Sequence, residues 1–139
     1  MRGTERRFFD TNVIVYAHDD GSPNKRDRAR KLLASALQDG TGVISGQVLS
    51  ETYVTLTKKV GIDEQAAADE ILQLSEFRTV EISASLVLRA LQIKGEFMLS
   101  YWDSLIIAAA EHAGCATVWS EDLNDGQSYG MVTARNPFK

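Results

Sequence analysis

Short β-like runs alternate with longer helical stretches along the whole chain, and this alternation constrains the fold most. Strands that alternate with helices predict βαβ crossovers and a mainly parallel sheet covered on both faces. The predicted strands are 7–9, 43–44, 79–82, 117–119 and, at an edge, 131–133. The predicted helical stretches are 12–18, 25–38, 47–59, 63–75, 83–94 and 100–113. The expected fold class is α/β.

The composition is that of one ordinary soluble domain. A chain of 139 residues without an internal repeat or linker predicts a single domain over residues 1–139. No apolar run approaches the roughly 18 residues of a membrane span, and the first residues lack the apolar stretch of a secretory signal. We therefore expect a cytoplasmic protein that does not enter a membrane.

The cysteine and histidine content limits the metal chemistry. Cys115 is the single cysteine, so no internal disulfide can form, and its expected role is that of a buried small apolar residue. One cysteine with His18 and His112 cannot build a Cys/His zinc site. Any bound metal must be held mainly by oxygen atoms.

The net charge of −4 gives no support to broad, sequence-indifferent binding of nucleic acid. Eight of the fifteen cationic residues, however, precede position 32: Arg2, Arg6, Arg7, Lys25, Arg26, Arg28, Arg30 and Lys31. This run indicates either a local basic face beside an acidic pocket or a solvated helix face.

Four acidic residues lie where a simple surface role is awkward. Asp10 and Asp122 follow predicted strands, Glu51 lies among apolar residues of a predicted helix, and Asp103 lies at the start of the most apolar helix. Each has a structural alternative: a helix cap for Asp10 and Asp103, and a solvated face for Glu51. Turn chemistry explains the nearby Asp125 equally well.

The predicted topology brings three of these acids to one edge of the sheet, because parallel strands place their sites at their carboxyl ends. Clustered carboxylates repel one another, which raises their pKa values and costs stability unless protons or cations intervene. Oxygen-rich clusters of this kind suit Mg²⁺ or Mn²⁺ far better than zinc. The sequence therefore predicts a divalent-cation site.

At these residues the sequence resembles a PIN domain, and in particular the VapC-type toxins of bacterial toxin–antitoxin pairs. The motifs that carry the resemblance, in order, are Phe9-Asp10-Thr11-Asn12, Ile44-Ser45, Val48-Leu49-Ser50-Glu51, Ser100-Tyr101-Trp102-Asp103-Ser104-Leu105-Ile106, Trp119-Ser120-Glu121-Asp122-Leu123 and Asn136-Pro137-Phe138. The resemblance implies a three-layer α/β/α PIN-like fold and hydrolysis of RNA phosphodiester bonds with Mg²⁺ or Mn²⁺.

The resemblance also implies roles for individual residues. Asp10, Glu51, Asp103 and Asp122 match the family's acidic quartet, and Thr11, Asn12 and Ser45 match its supporting polar groups. The fourth acid varies in this family, so Asp125 is the alternative to Asp122.

The mechanism that suits this chemistry is attack of a metal-bound water on phosphorus. We expect Asp10 and Asp103 to bind the metal directly and Asp122 to bind it or to hold a metal-bound water. Glu51 would be an outer ligand or the base that orients the attacking water. Hydrogen bonds from Thr11, Asn12 and Ser45 would fix these carboxylates.

The resemblance implies three partners: an RNA substrate, an antitoxin protein and a second copy of the chain. Because the pocket is acidic, we expect the antitoxin to place a basic side chain across it. Apolar residues such as Tyr53, Val54 and Leu56 could serve a homodimer interface or the core. Trp102, Trp119 and Tyr101 could stack on bases, although packing or a partner interface is the commoner use.

Three other functions stay open from the sequence. The first is a catalytically silent PIN-like binding module, and the second is a housekeeping RNA-processing nuclease without an antitoxin. The third is a phosphatase or phosphotransferase with Asp10 as its nucleophile. Asn12 argues against the third, because those enzymes commonly carry a second aspartate two residues after the first.

Overall fold

A six-stranded sheet in the order β3-β2-β1-β4-β6-β5 forms the centre of the fold. The computed structural model describes residues 5–139. All neighbouring strands are parallel except β5 and β6, which are antiparallel. The strands are β1 (Arg7–Phe9), β2 (Gly42–Ser45), β3 (Arg78–Val80), β4 (Thr117–Trp119), β5 (Ser128–Tyr129) and β6 (Val132–Arg135). The predicted α/β class with a mainly parallel sheet is confirmed.

Six α-helices connect and flank these strands, and one of them continues into a π-helical segment. They are α1 (Thr11–Tyr16), α2 (Pro23–Asp39), α3 (Gly46–Thr55), the π-helical segment Leu56–Val60, α4 (Glu64–Leu74), α5 (Ala84–Phe97) and α6 (Tyr101–His112). Five of the α-helices begin at a side-chain cap, which satisfies an otherwise unpaired backbone N–H. The caps are Asp10, Ser45, Asp63, Ser83 and Ser100.

The core lies between the sheet and its helices. Phe8 and Phe9 of β1 are fully buried, as expected for a strand with neighbours on both sides. Helix α6 buries every residue from Ser104 to Ala110, and it packs against α5 and the sheet. This explains why its sequence is apolar on all sides rather than amphipathic.

Two details of the predicted elements are wrong. The last predicted strand, 131–133, does not form the edge: β6 pairs with β4, and the short antiparallel β5 lies outside it. A strand of only two residues gives no period-2 signal, so the sequence did not indicate β5. The helix predicted over 47–59 also leaves α-geometry at Leu56 and ends at Gly61, whose φ of 80° is left-handed.

The cations near the N-terminus mainly bind other parts of the chain. Arg6 donates to the carbonyl of Ala113, Arg28 to that of Pro137 and Arg30 to that of Ala17. Arg7 pairs with Asp39 at 3.0 Å. These contacts do not support a basic face beside the acidic pocket; Arg2 lies outside the described residues.

No helix within residues 5–139 is both long and apolar enough to cross a membrane.

Candidate active site

The carboxyl ends of β1 and β4 bring two of the predicted acids, Asp10 and Asp122, together. The two strands are parallel neighbours with Phe9 opposite Trp119, and the backbone N–H of Asp10 donates to the carbonyl of Trp119 at 3.0 Å. Asp10, which follows β1, and Ser120, which follows β4, therefore lie side by side. Asp122 comes two residues after Ser120.

Asp10 is a buried carboxylate with three donors. Its Oδ1 accepts from the backbone N–H of Thr11 at 2.7 Å, and its Oδ2 accepts from Ser120 Oγ at 2.8 Å and from Asn12 Nδ2 at 3.4 Å. Burial raises the pKa of Asp10 from 3.8 to about 6, although the bonds from Ser120 and Thr11 lower it. The charges of Asp122 and Asp103 raise this pKa further.

Asn12 links Asp122 to the start of α1. Its Nδ2 donates to Asp122 Oδ2 at 3.0 Å, and its Oδ1 accepts from the backbone N–H of Glu121 at 3.1 Å. Ser120 Oγ accepts from the backbone N–H of Asp122 at 3.1 Å. The loop after β4 is thus held against α1, which fixes the position of Asp122.

Glu51 reaches the same region from α3. Its Oε1 accepts a hydrogen bond from Thr11 Oγ1 at 2.9 Å, and its Oε2 accepts from Gln47 Nε2 at 3.5 Å. Gln47 also donates to the backbone carbonyl of Trp102 at 3.2 Å. Thr11 and Asn12, both predicted as supporting groups, therefore contact the acids Glu51 and Asp122.

Asp103 lies in the first turn of α6. Its backbone N–H donates to the N-cap Ser100 Oγ at 3.1 Å, as the capping interpretation predicted. Burial raises the pKa of the Asp103 carboxyl, the cap lowers it, and the charge of Asp122 raises it. Capping and membership of the acidic cluster are thus compatible at this residue.

One cavity of about 1080 Å³ gathers the four predicted acids. Asp10, Glu51, Asp103 and Asp122 all line it, together with Thr11 and Asn12. Asp19 and Asp20 line it as well, against a single lysine, Lys59, among its described lining residues. The cavity is therefore strongly acidic.

Two predicted supporting residues lie elsewhere. Ser45 is fully buried and caps α3 by accepting from the backbone N–H of Val48 at 3.3 Å. Asp125 accepts from the backbone N–H of Asn136 at 2.8 Å. Neither lines the acidic cavity, so the expected contact of Ser45 with the carboxylates is not observed and Asp122 is the better placed fourth acid.

Ser120 and Gln47 were missed as site residues by the sequence reasoning. Ser120 is fully buried and bonded to Asp10, and Gln47 is 7% exposed and bonded to Glu51. The position of Ser120 just after β4 was a usable signal, because parallel strands end at the site. Gln47 precedes Glu51 by one helical turn, a spacing that places both on one face.

An ion pair lies beside the loop that carries Asp122. Lys25 Nζ lies 3.1 Å from Glu121 Oε2 and 3.3 Å from the hydroxyl of Tyr16. The same ammonium lies 4.6 Å from the centroid of the Tyr16 ring. Because Glu121 directly precedes Asp122, this contact restrains the loop that carries the fourth acid.

The donor set suits a hard divalent cation. It consists of carboxylate, hydroxyl and amide oxygens, and the pKa of Asp10 is raised mainly by burial and further by the charges of Asp122 and Asp103, so a cation would stabilise the ionised carboxylates. Among residues 5–139, no three acidic, histidine or cysteine side chains converge closely enough to hold one ion together. A bound cation would thus be held by one or two of these carboxylates, with water completing its shell, as is usual for Mg²⁺.

Histidine chemistry of the two-histidine type is not supported by the fold. His18 lines the acidic cavity and pairs with Glu70 at 3.4 Å. His112 is at the last residue of α6, the helix that begins beside Asp103. His112 is nine residues after Asp103 in this helix, which places it about 14 Å away along the helix axis.

The fold is similar to that of several solved proteins. The Mycobacterium tuberculosis toxin VapC20, which cleaves the sarcin–ricin loop, is 23% identical with a TM-score of 0.67, and the match covers 84% of this chain and 89% of VapC20. A toxin–antitoxin complex from Klebsiella pneumoniae has 21% sequence identity and a TM-score of 0.70, and the match covers 96% of this chain and 98% of the matched chain. DNA-bound VapBC from Salmonella typhimurium has 15% sequence identity and a TM-score of 0.69, with the same coverage of the two chains.

No curated protein matches the chain at a significant level. The sequence profile of the PIN domain, by contrast, matches residues 7–124, which is most of the 139-residue chain and contains all four predicted acids. The chain belongs to the PIN domain family.

Proposed function

We propose that this chain is a divalent-metal-dependent endoribonuclease and the toxin of a toxin–antitoxin pair. The observation that carries the proposal is the single cavity into which a PIN fold brings Asp10, Glu51, Asp103 and Asp122. Structural likeness to VapC20, a toxin that cleaves RNA, supports the choice of RNA as substrate.

In this proposal Asp10 and Asp103 would hold the cation, Mg²⁺ or Mn²⁺, and Asp122 would orient water beside it. Such a cation, when bound, activates water and neutralises charge on the phosphate oxygens. Ser120 and Asn12 keep Asp10 and Asp122 in place by hydrogen bonds. Glu51, oriented by Thr11, accepts a proton from the attacking water.

The products of RNA cleavage test this mechanism. Purified protein should cut a labelled RNA when Mg²⁺ or Mn²⁺ is present and stop when EDTA is added. Water as the nucleophile leaves no 2′,3′-cyclic phosphate, and a 2′-deoxy substitution at the cleaved bond should still permit cleavage. Cyclic phosphate ends, or cleavage that persists in EDTA, would refute the metal mechanism.

The antitoxin proposal rests on the charge of the cavity. Six carboxylates line it, and a basic side chain of a partner can pair with them and compete with the cation. Expression of the chain alone should slow growth, and co-expression of its antitoxin should restore it. Replacing the partner's basic residue by alanine should weaken inhibition. Normal growth of cells that express the chain without any antitoxin would instead favour a housekeeping nuclease.

We also propose that the chain forms a homodimer. Of the residues considered for such an interface, Val54 is 48% exposed and remains available, whereas Leu56 is fully buried and belongs to the core. Light scattering at micromolar concentration should give twice the 15.3 kDa mass of one chain. A monomer under those conditions would refute the homodimer.

A further inference from the structure

A second cavity, of about 560 Å³, adjoins the acidic one. Gln47, Ser50, Glu51 and Trp102 line both cavities, so the two are immediate neighbours. The remaining lining residues of the second cavity are Gly46, Ile82, Tyr101 and Leu105. A chain-like ligand that crosses the acidic cavity can therefore extend into the second one.

The second cavity suits an uncharged, flat group rather than a phosphate. Its lining is mainly apolar and aromatic, and it includes no lysine or arginine. The one charged residue, Glu51, would repel an anion. A nucleobase has apolar faces and polar edges, and the hydroxyl of Ser50 offers such an edge a hydrogen-bonding group.

Trp102 is exposed, although the middle of its helix is buried. It is 59% exposed, whereas residues from Ser104 to Ala110 are buried. The ring of Tyr101 meets the Trp102 ring edge-on, with centroids 5.0 Å apart and an angle of 74° between the planes. Gln47 Nε2 donates to the Trp102 carbonyl at 3.2 Å, and Gln47 is itself 7% exposed. The indole thus projects from a fixed backbone.

We propose that Trp102 is the stacking platform for a nucleobase beside the phosphodiester that is cut. The inference rests on the proposed nuclease function. Asp103 follows Trp102 directly and lines the acidic cavity, so a base on Trp102 belongs to a nucleotide flanking the reacting phosphate. Stacking of one base on an aromatic side chain contributes about 1–3 kcal/mol and tolerates any sequence.

Binding of single-stranded oligoadenylate tests the platform. The full chain is titrated in EDTA, which prevents cleavage, and its affinity for oligoadenylate is compared with that for an abasic ribose-phosphate oligomer of equal length. The wild type should bind oligoadenylate about tenfold more tightly, with quenching of tryptophan fluorescence. Equal affinity for the two oligomers would overturn the proposal without any mutation.

Substitutions identify Trp102 as the source of the preference. Trp102→Leu should bind oligoadenylate about tenfold more weakly than wild type and should bind the abasic oligomer as tightly as wild type. Trp102→Phe should retain most of the affinity for oligoadenylate. Leu88→Ala, at a residue 64% exposed on α5, is the matched control and should behave as wild type. A wild-type affinity in Trp102→Leu would overturn the proposal, as would a defect confined to binding of a protein partner.

Cleavage assays with Mg²⁺ separate this inference from the function on which it rests. Base-dependent binding without any RNA cleavage would refute the nuclease function and leave the stacking platform standing. Cleavage that is indifferent to Trp102 and to abasic substitution next to the cut would refute the platform alone.

Discussion

Ser120 Oγ lies 2.8 Å from Oδ2 of Asp10 and donates a hydrogen bond to it. The same hydroxyl accepts from the backbone N–H of Asp122 at 3.1 Å. Asp10 and Ser120 are both buried, and they directly follow the neighbouring parallel strands β1 and β4. One serine therefore fixes a carboxylate on β1 and the loop that carries a second carboxylate after β4.

Ser120→Ala should impair both stability and cleavage. It removes a buried hydrogen bond to a charged group, which should lower the unfolding free energy by about 1–3 kcal/mol. Misplacing Asp10 and Asp122 should also lower kcat/KM by about 10–100-fold. Denaturant unfolding and RNA cleavage measure the two effects.

Ser45→Ala is the matched control for that variant. Loss of the α3 cap should cost about 1 kcal/mol of stability without changing cleavage by the folded protein. Equal losses of activity in the two serine variants would show that Ser120 has no special connection to the site.

Asp122→Asn and Asp125→Asn should differ sharply in activity. The first removes a charge from the acidic cavity and should reduce kcat/KM by about 100-fold. The second leaves an amide oxygen that can still accept from the backbone N–H of Asn136, so cleavage should be unchanged. The opposite order of activities would make Asp125 the fourth acid.

The metal-free protein should lose stability as the pH rises through about 6. Burial raises the pKa of Asp10 from 3.8 to about 6, so the folded state holds the proton more tightly than the unfolded chain. This contribution is complete below about pH 4 and lost above about pH 6, and it amounts to about 3 kcal/mol.

The difference in unfolding free energy between wild type and Asp10→Asn isolates that contribution, because the other titrating groups largely cancel. In EDTA, the wild type should lose about 3 kcal/mol of unfolding free energy relative to Asp10→Asn as the pH rises from about 4 to about 7. A difference independent of pH would mean that Asp10 is charged in the folded metal-free protein.

Cys115 should be unreactive until the protein unfolds. It is 3% exposed, and burial raises the pKa of its thiol to about 12, so almost no thiolate forms at neutral pH. A thiol reagent such as DTNB should label the protein at the rate of unfolding, and immediately in denaturant. Rapid labelling of the native protein would contradict its placement in the core.

The sequence predicted most of the fold because its patterns are local. Asp63 and Ser83 begin helices as expected from their capping chemistry. The π-helical segment after Leu56 and the two-residue β5 have no comparable local signal. Both depend on tertiary contacts, which override the propensity of short segments.

The site was predictable in its acids but not in its hydrogen bonds. Asp10 and Asp122 follow strands whose ends the topology brings together, so their convergence followed from chain order. Ser45 and Ser120 both follow strands and have the same side chain, yet one caps a helix and the other binds Asp10. Only the three-dimensional arrangement distinguishes them.

RNA cleavage by wild type and by Asp10→Asn, assayed side by side with Mg²⁺ or Mn²⁺, tests whether this chain is a metal-dependent ribonuclease. We predict that wild type cleaves RNA only with the cation and that Asp10→Asn does not cleave, although its circular dichroism matches that of wild type. Undiminished cleavage by folded Asp10→Asn, in preparations free of other nucleases, would contradict a catalytic site built on Asp10.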